Sequence, residues 1–156
     1  MTSRQPAAAY FDVDGTVTPL TTMFELLRFD AANTNRLSEG NAFLAHLREL
    51  KLNGAPRQDT NRKYFTWWAG RRVGDVEKLG REWFKHALAT HGQQLIHPEV
   101  HDRMLEHEVL GDRIVLVSGS FLPALNPSPS MWARTTSSPP SPRLPAATTP
   151  AASQRR

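Results

Sequence analysis

Asp12 and Asp14 stand one residue apart at the end of an apolar run, Ala7-Ala8-Ala9-Tyr10-Phe11-Asp12-Val13-Asp14-Gly15-Thr16-Val17-Thr18. Side chains alternate along a strand, so both carboxylates leave it on one side and converge. Two converging carboxylates repel each other unless a cation or a proton lies between them. One of them can act as a nucleophile and carry an acyl-phosphate. The other can donate a proton and then take one back. A hard divalent cation, bound by carboxylate and phosphate oxygens, would offset the repulsion. Asp14-Gly15 is also an ordinary turn pair, so this motif alone leaves a plain acidic strand-to-loop turn open.

A second segment has related chemistry. Val117-Ser118-Gly119-Ser120 follows the apolar run Arg113-Ile114-Val115-Leu116-Val117. A serine hydroxyl and free backbone amides at a strand end can hold a phosphate. Alone, this too reads as a strand-to-loop turn.

Both segments need strands behind them. Apolar runs without alternation predict parallel strands buried on both faces, and open α/β sheets bind ligands at the carboxyl ends of such strands. Gly15 lets the chain turn sharply away from the first strand. Between the strands the pattern is helical. Thr22 with Glu25 reads as a capping box ahead of Met23, Phe24, Leu26 and Leu27. Phe43, Leu44, Leu47 and Leu50 mark a second helix, stopped by Asn53-Gly54. Tyr64, Phe65, Trp67 and Trp68 mark a third, ending near Gly70. Val76, Leu79, Trp83, Phe84, Ala87 and Leu88 mark a fourth, ending near Gly92. Pro98 suits the first turn of a fifth, with Val100, Met104 and Leu105 on one face and Gly111 after its end. A parallel crossover needs only about a dozen residues. The larger helical span therefore predicts a cap inserted between two strands of one sheet.

Composition narrows the function class. Four of the nineteen basic residues are Arg134, Arg143, Arg155 and Arg156, in a stretch without an acid, which leaves fifteen basic against fifteen acidic residues over positions 1–125. The overall charge of +4 therefore describes the C-terminal stretch and argues against nucleic-acid binding by the folded part. The absence of cysteine excludes disulfides and thiolate metal sites. No apolar run reaches membrane-spanning length and the N-terminus has no signal-peptide pattern, so a cytoplasmic protein without a membrane partner is expected. Residues 126–156 are almost entirely Pro, Ser, Thr, Ala and Arg, which predicts a disordered tail.

Taken together, Phe11-Asp12-Val13-Asp14-Gly15-Thr16-Val17 and Ile114-Val115-Leu116-Val117-Ser118-Gly119-Ser120-Phe121 resemble the first and second motifs of the haloacid dehalogenase-like (HAD) superfamily. The helical span between them resembles the cap of subclass IB, the phosphoserine-phosphatase-like hydrolases. The resemblance covers about residues 7–125. It implies a partial α/β, Rossmann-like parallel-sheet core made of residues 1–20 and 97–125, a helical cap over 21–96, and the tail of 126–156. It further implies a Mg²⁺-dependent phosphatase for small-molecule phosphomonoesters. Asp12 would be the nucleophile and Asp14 the acid and base. Mg²⁺ would be held by the Asp12 carboxylate and the Asp14 carbonyl, and the phosphoryl group by Ser118 and the Gly119 amide.

The chain departs from that pattern after its second motif. The family has a later lysine and a later carboxylate cluster, but no lysine follows Lys85, no glutamate follows Glu108 and no aspartate follows Asp112. A frameshift or truncation near Asn126, weak stability and impaired turnover are the corresponding expectations. An inactive remnant or an interaction module using the cap's aromatic surface is the alternative. Other residues invite milder readings. His97 and His101, four apart, predict a solvated helix face rather than a metal pair. Trp67, Trp68, Trp83 and Phe84 predict cap core rather than a substrate pocket. Arg71-Arg72 predicts a solvated helix end, with reach to a substrate anion as the sharper alternative. Pro142-x-x-Pro145 matches a proline-rich ligand, a pattern expected by chance in such a tail.

Overall fold

The computed structural model describes residues 7–125, so the reading of 126–156 as a disordered tail and the proline-rich match lie outside the described residues. Strand β1 (Ala8–Asp12) pairs in parallel with β2 (Arg113–Val117), in a register that sets Ala8 against Arg113 and Asp12 against Val117. Four helices fill the interval, α1 (Thr22–Asn33), α2 (Leu37–Leu52), α3 (Arg57–Phe65) and α4 (Val73–His91), and a fifth, α5 (Pro98–Val109), leads into β2. The result is a mixed α/β structure, mostly helical, with a two-stranded parallel sheet among the described residues.

The start of the sheet is clamped by one carboxylate. Asp112, buried just before β2, accepts the Ala7 backbone N–H at Oδ1 (2.9 Å) and meets His107 Nδ1 at Oδ2 (2.8 Å). One side chain thereby joins the entry of β1, the end of α5 and the entry of β2.

The strands are not buried on both faces. Burial alternates along β1, with Tyr10 68% exposed, and Val117 of β2 is 50% exposed. Phe11, Ile114 and Leu116 turn inward, and the Phe11 ring meets His107 of α5 edge-on at 6.1 Å between centroids. The physical reason is a single covering layer. Helix α5 packs on one side, and among the described residues no layer covers the other. The fully buried residues lie instead among the helices, in one continuous cluster running from Val17 through Leu26, Leu44, Tyr64 and Phe84 to Met104 and Ala124.

Helix boundaries largely follow the apolar periodicity, with two corrections. Thr22 is the first residue of α1 rather than its cap, and Thr21, in the cap position, makes no side-chain cap bond. The Thr22 amide is taken by Asp14, eight residues earlier, and its hydroxyl by Ser120, far along the chain, and Glu25 pairs with Arg28 instead. The third helix ends at Phe65, and Thr66–Trp68 tighten into a 3₁₀ turn. That turn aims two adjacent indoles at different targets. Trp67 Nε1 donates to buried Asp30 at 2.9 Å, while the Trp68 ring packs on Phe121 at 5.4 Å.

The histidine pair also differs from its sequence reading. His101 is only 8% exposed and faces the core, because the α5 face carrying Met104 turns inward. His97 is the cap residue of α5, and its backbone N–H donates to the Val17 carbonyl at 2.9 Å. Among the described residues no group of three His, Cys, Asp or Glu side chains is placed to hold a metal. Trp67, Trp68, Trp83 and Phe84 are buried in the core, as expected.

Two glycines allow backbones to meet. A Cβ on Gly40 of α2 would lie 2.6 Å from the Ala31 Cβ of α1. A Cβ on Gly80 of α4 would lie 1.9 Å from the Pro123 carbonyl oxygen, in the turn Leu122–Leu125 that follows the second motif. Gly80→Ala must therefore push α4 off that turn, and overpacking of this kind costs about 1–3 kcal/mol. Gly74→Ala, at a position open for 4 Å around, should be neutral or slightly stabilising. Urea unfolding of the two variants measures the difference.

Candidate functional site

The β1–β2 register delivers both motifs to one end of the sheet. Asp12 closes β1 opposite Val117, so Asp14 and the Ser118-Gly119-Ser120 loop leave from the same edge. Val13, fully buried between the aspartates, fixes the alternation that turns both carboxylates the other way.

The loop after Asp12 is held by its own backbone. The Val13 carbonyl accepts from the amides of Thr16, Val17 and Thr18, and the Gly15 amide donates to the Thr18 carbonyl at 2.7 Å. Gly15 takes φ +81°, which side chains with a Cβ adopt only with strain. Val17 and Thr18, both fully buried, anchor the far side of this loop.

The carboxylates are partly engaged. Asp12 Oδ2 accepts from the Thr16 hydroxyl at 3.1 Å, and its other oxygen accepts no hydrogen bond among the described residues. Asp14 Oδ1 accepts the Thr22 backbone N–H at 3.0 Å, satisfying an amide of the first turn of α1. The facing loop is ordered in the same way. Ser118 Oγ accepts the Ser120 N–H at 2.9 Å, and the Ser120 and Thr22 hydroxyls lie 2.7 Å apart. Thr22 thus touches both motifs, one through its amide and one through its hydroxyl. Phe121, the next residue, sits in an aromatic cluster with Tyr64, Phe65 and Trp68 from the helical span.

All four residues expected at the site, Asp12, Asp14, Ser118 and Gly119, line one cavity of about 790 Å³, a size suited to a small-molecule ligand. Other lining residues were missed by the sequence reading. Arg48 and Lys51 from α2 and Arg57 from α3 line the same cavity, with Asn61 and Tyr64. The Arg48 guanidinium leans over the Phe24 ring at 5.9 Å. None of the three cations pairs with an acid among the described residues. Burial pushes the Tyr64 phenol well above its usual range. It therefore stays protonated, and it donates to the Met23 carbonyl at 2.8 Å. A signal for these cations exists in the sequence, as Arg48, Lys51 and Arg57 fall within ten positions, but nothing in the sequence aims them at Asp12.

Arg71 does not reach the cavity. It stays exposed, as expected, but its guanidinium binds buried Asp30 at 2.8 Å and lies over Trp68. Arg72 caps α4 and does not line the cavity either.

A family model of haloacid dehalogenase-like hydrolases matches residues 9–127. The chain belongs to the HAD-like hydrolase family. No curated protein and no solved structure matches it. In this HAD-like chain the matched span includes β1 from its second residue, all of β2, all five helices and every residue of the acidic and serine loops. Among the described residues no helix is long and apolar enough to cross a membrane.

The donor set bears on Mg²⁺. Mg²⁺ retains several waters and is commonly held by one or two carboxylates with substrate phosphate completing the shell. The Asp12 carboxylate and the Asp14 carbonyl fit that sparse pattern, and among the described residues no acid besides Asp12 and Asp14 lines the cavity. The set suits a cation that arrives with a phosphate better than one held alone.

Because the Thr22–Ser120 hydroxyl pair bridges the two motifs, Ser120→Ala strands the fully buried Thr22 hydroxyl. The expected loss is about 1–3 kcal/mol, read in a thermal melt, with little change in helix content by circular dichroism.

Proposed function

We propose that this HAD-like hydrolase cleaves small-molecule phosphomonoesters through an aspartyl-phosphate, as a cytoplasmic enzyme of the phosphoserine-phosphatase-like subclass IB. The observation that carries the reading is the convergence of Asp12, Asp14, Ser118 and Gly119 on one cavity that Arg48, Lys51 and Arg57 also line. Residues 21–96 act as the cap over a core built from the segments on either side. Neither nucleic acid nor membrane takes part.

In this reading the Asp12 oxygen without a hydrogen bond attacks phosphorus, and the bond from phosphorus to the ester oxygen breaks. Asp14 gives its proton to the departing alkoxide, which leaves as the alcohol. Water then attacks the acyl-phosphate, and Asp14 takes its proton as inorganic phosphate leaves and the Asp12 carboxylate is restored. The Thr16 hydroxyl orients the attacking carboxylate, and the Thr22 amide orients Asp14. The Gly119 amide and the Ser118 hydroxyl hold the phosphoryl oxygens. The Asp12 carboxylate and the Asp14 carbonyl would hold Mg²⁺, which would supply charge neutralisation.

Asp12→Asn should abolish hydrolysis, because the amide that replaces the carboxylate cannot form the acyl-phosphate. Asp14→Asn should slow alkyl phosphates, whose leaving groups need a proton, by ~10²–10⁴-fold, and slow aryl phosphates much less. Steady-state assays with Mg²⁺ on both substrate types test the assignment. Full turnover by Asp12→Asn, or equal slowing of both substrates by Asp14→Asn, would refute it. A folded wild-type protein without turnover would return the chain to the non-catalytic alternative.

Arg48 and Lys51 raise the local concentration of anionic substrate without touching the reacting bond. The double variant Arg48→Ala with Lys51→Ala should therefore raise KM several-fold with kcat nearly intact, and the wild-type KM should rise with added salt. Michaelis curves at two ionic strengths measure both effects.

A further inference from the structure

Gly119 is a glycine for reasons of space rather than of turning. Five other glycines have positive φ, and Gly119 is not among them. The space a Cβ would take is filled by the Arg57 side chain, with Nη2 at 2.1 Å, Cζ at 3.2 Å and Nε at 3.9 Å from that position. A guanidinium from the first turn of α3 therefore lies directly on the backbone of the Ser118-Gly119 loop, in the cavity shared with Asp12 and Asp14. Its charge is unspent. It makes no ion pair and no side-chain hydrogen bond among the described residues.

In phosphoryl transfer, charge is spread over three equatorial oxygens and is stabilised by positioned cations and amides. A guanidinium presents its donors in a fixed fork that matches two phosphate oxygens, whereas an ammonium is a point charge. We propose that Arg57 is a catalytic residue of this site, and that its guanidinium and the Gly119 amide together grip the transferring phosphoryl group. This rests on the phosphohydrolase reading above. Arg57 exchanges no proton in the reaction; it supplies charge to the phosphoryl oxygens as Asp12 attacks and again as water does. The helical span thus contributes to the chemistry itself, and a displaced α3 leaves the loop without its cation.

The test uses the full chain with Arg57→Met, Arg57→Lys and Arg57→Ala, and with Arg62→Met on the same helix as a control outside the cavity. Two readouts are taken, binding of inorganic phosphate by calorimetry and hydrolysis of an aryl phosphate with Mg²⁺. Arg57→Met should weaken phosphate binding at least about tenfold and lower kcat by ~10²–10³-fold. Its melting midpoint should stay unchanged, because the side chain is exposed and unpaired. Arg57→Lys should recover only part of the loss, and millimolar guanidinium should partly rescue Arg57→Ala. Gly119→Ala, whose methyl displaces the guanidinium, should resemble Arg57→Met. Unchanged phosphate binding and kcat in Arg57→Met would overturn the proposal while leaving the Asp12-dependent reaction standing. Phosphate binding that depends on Arg57, in a protein without turnover, would keep the phosphoryl site and refute the hydrolase reading. A wild-type protein that binds no phosphate would overturn both.

Discussion

The parallel pairing of Ala8–Asp12 with Arg113–Val117 is the constraint on which the rest of the structure depends. It joins segments about a hundred residues apart, so its loop-closure entropy must be offset by contacts elsewhere. A two-stranded sheet alone is marginal. The offset comes from three sources: Asp112 tying both strand entries to α5, the inward row of Phe11, Ile114 and Leu116, and the helical core. Shifting the pairing by one residue would turn Phe11 outward and Asp12 inward. The register that buries Phe11 is therefore the register that presents the carboxylate.

The helical span is tied to the sheet by contacts that pass through the site. Gly80 lets α4 meet the Pro123 carbonyl, Phe121 enters the ring cluster of Tyr64 and Trp68, and Thr22 bonds both Asp14 and Ser120. One contiguous apolar cluster includes Val17 from the first loop, the helices, and Ala124 after the second. The loops that carry the candidate site residues are thus the loops that join the two parts. Substitutions that loosen this packing act on the geometry of Asp12 and Ser118 as well as on stability.

Charges of both signs line the cavity. Asp12 and Asp14 come from the strand end and its loop, and Arg48, Lys51 and Arg57 from α2 and α3. The cations make no ion pairs with these carboxylates among the described residues. Elsewhere opposite charges are paired in the usual ways, as in Arg36 with Glu39 on the surface and Arg71 with buried Asp30. Unpaired charge of both signs around one cavity is the feature on which the proposed phosphomonoester reading draws.

Local sequence by itself determined the strands, the five helices and the acidic and serine loops, because each rests on short-range periodicity or on a turn residue such as Gly15, Pro98 or Gly111. It also placed Asp12 and Asp14 on one side of the chain, since alternation about Val13 needs no tertiary information. Partners distant in sequence were decided by the fold. Thr22 reads as a cap in isolation, yet its amide goes to Asp14 and its hydroxyl to Ser120. β1 reads as buried on both faces, yet Tyr10 is exposed, because burial depends on how many layers pack on the sheet. Arg71 reads as solvated and stays exposed, yet its guanidinium binds Asp30, while Arg57 carries no motif and lies on Gly119. A guanidinium's target is set by where the ends of α2 and α3 pack against a loop sixty residues away, and only the tertiary structure decides that.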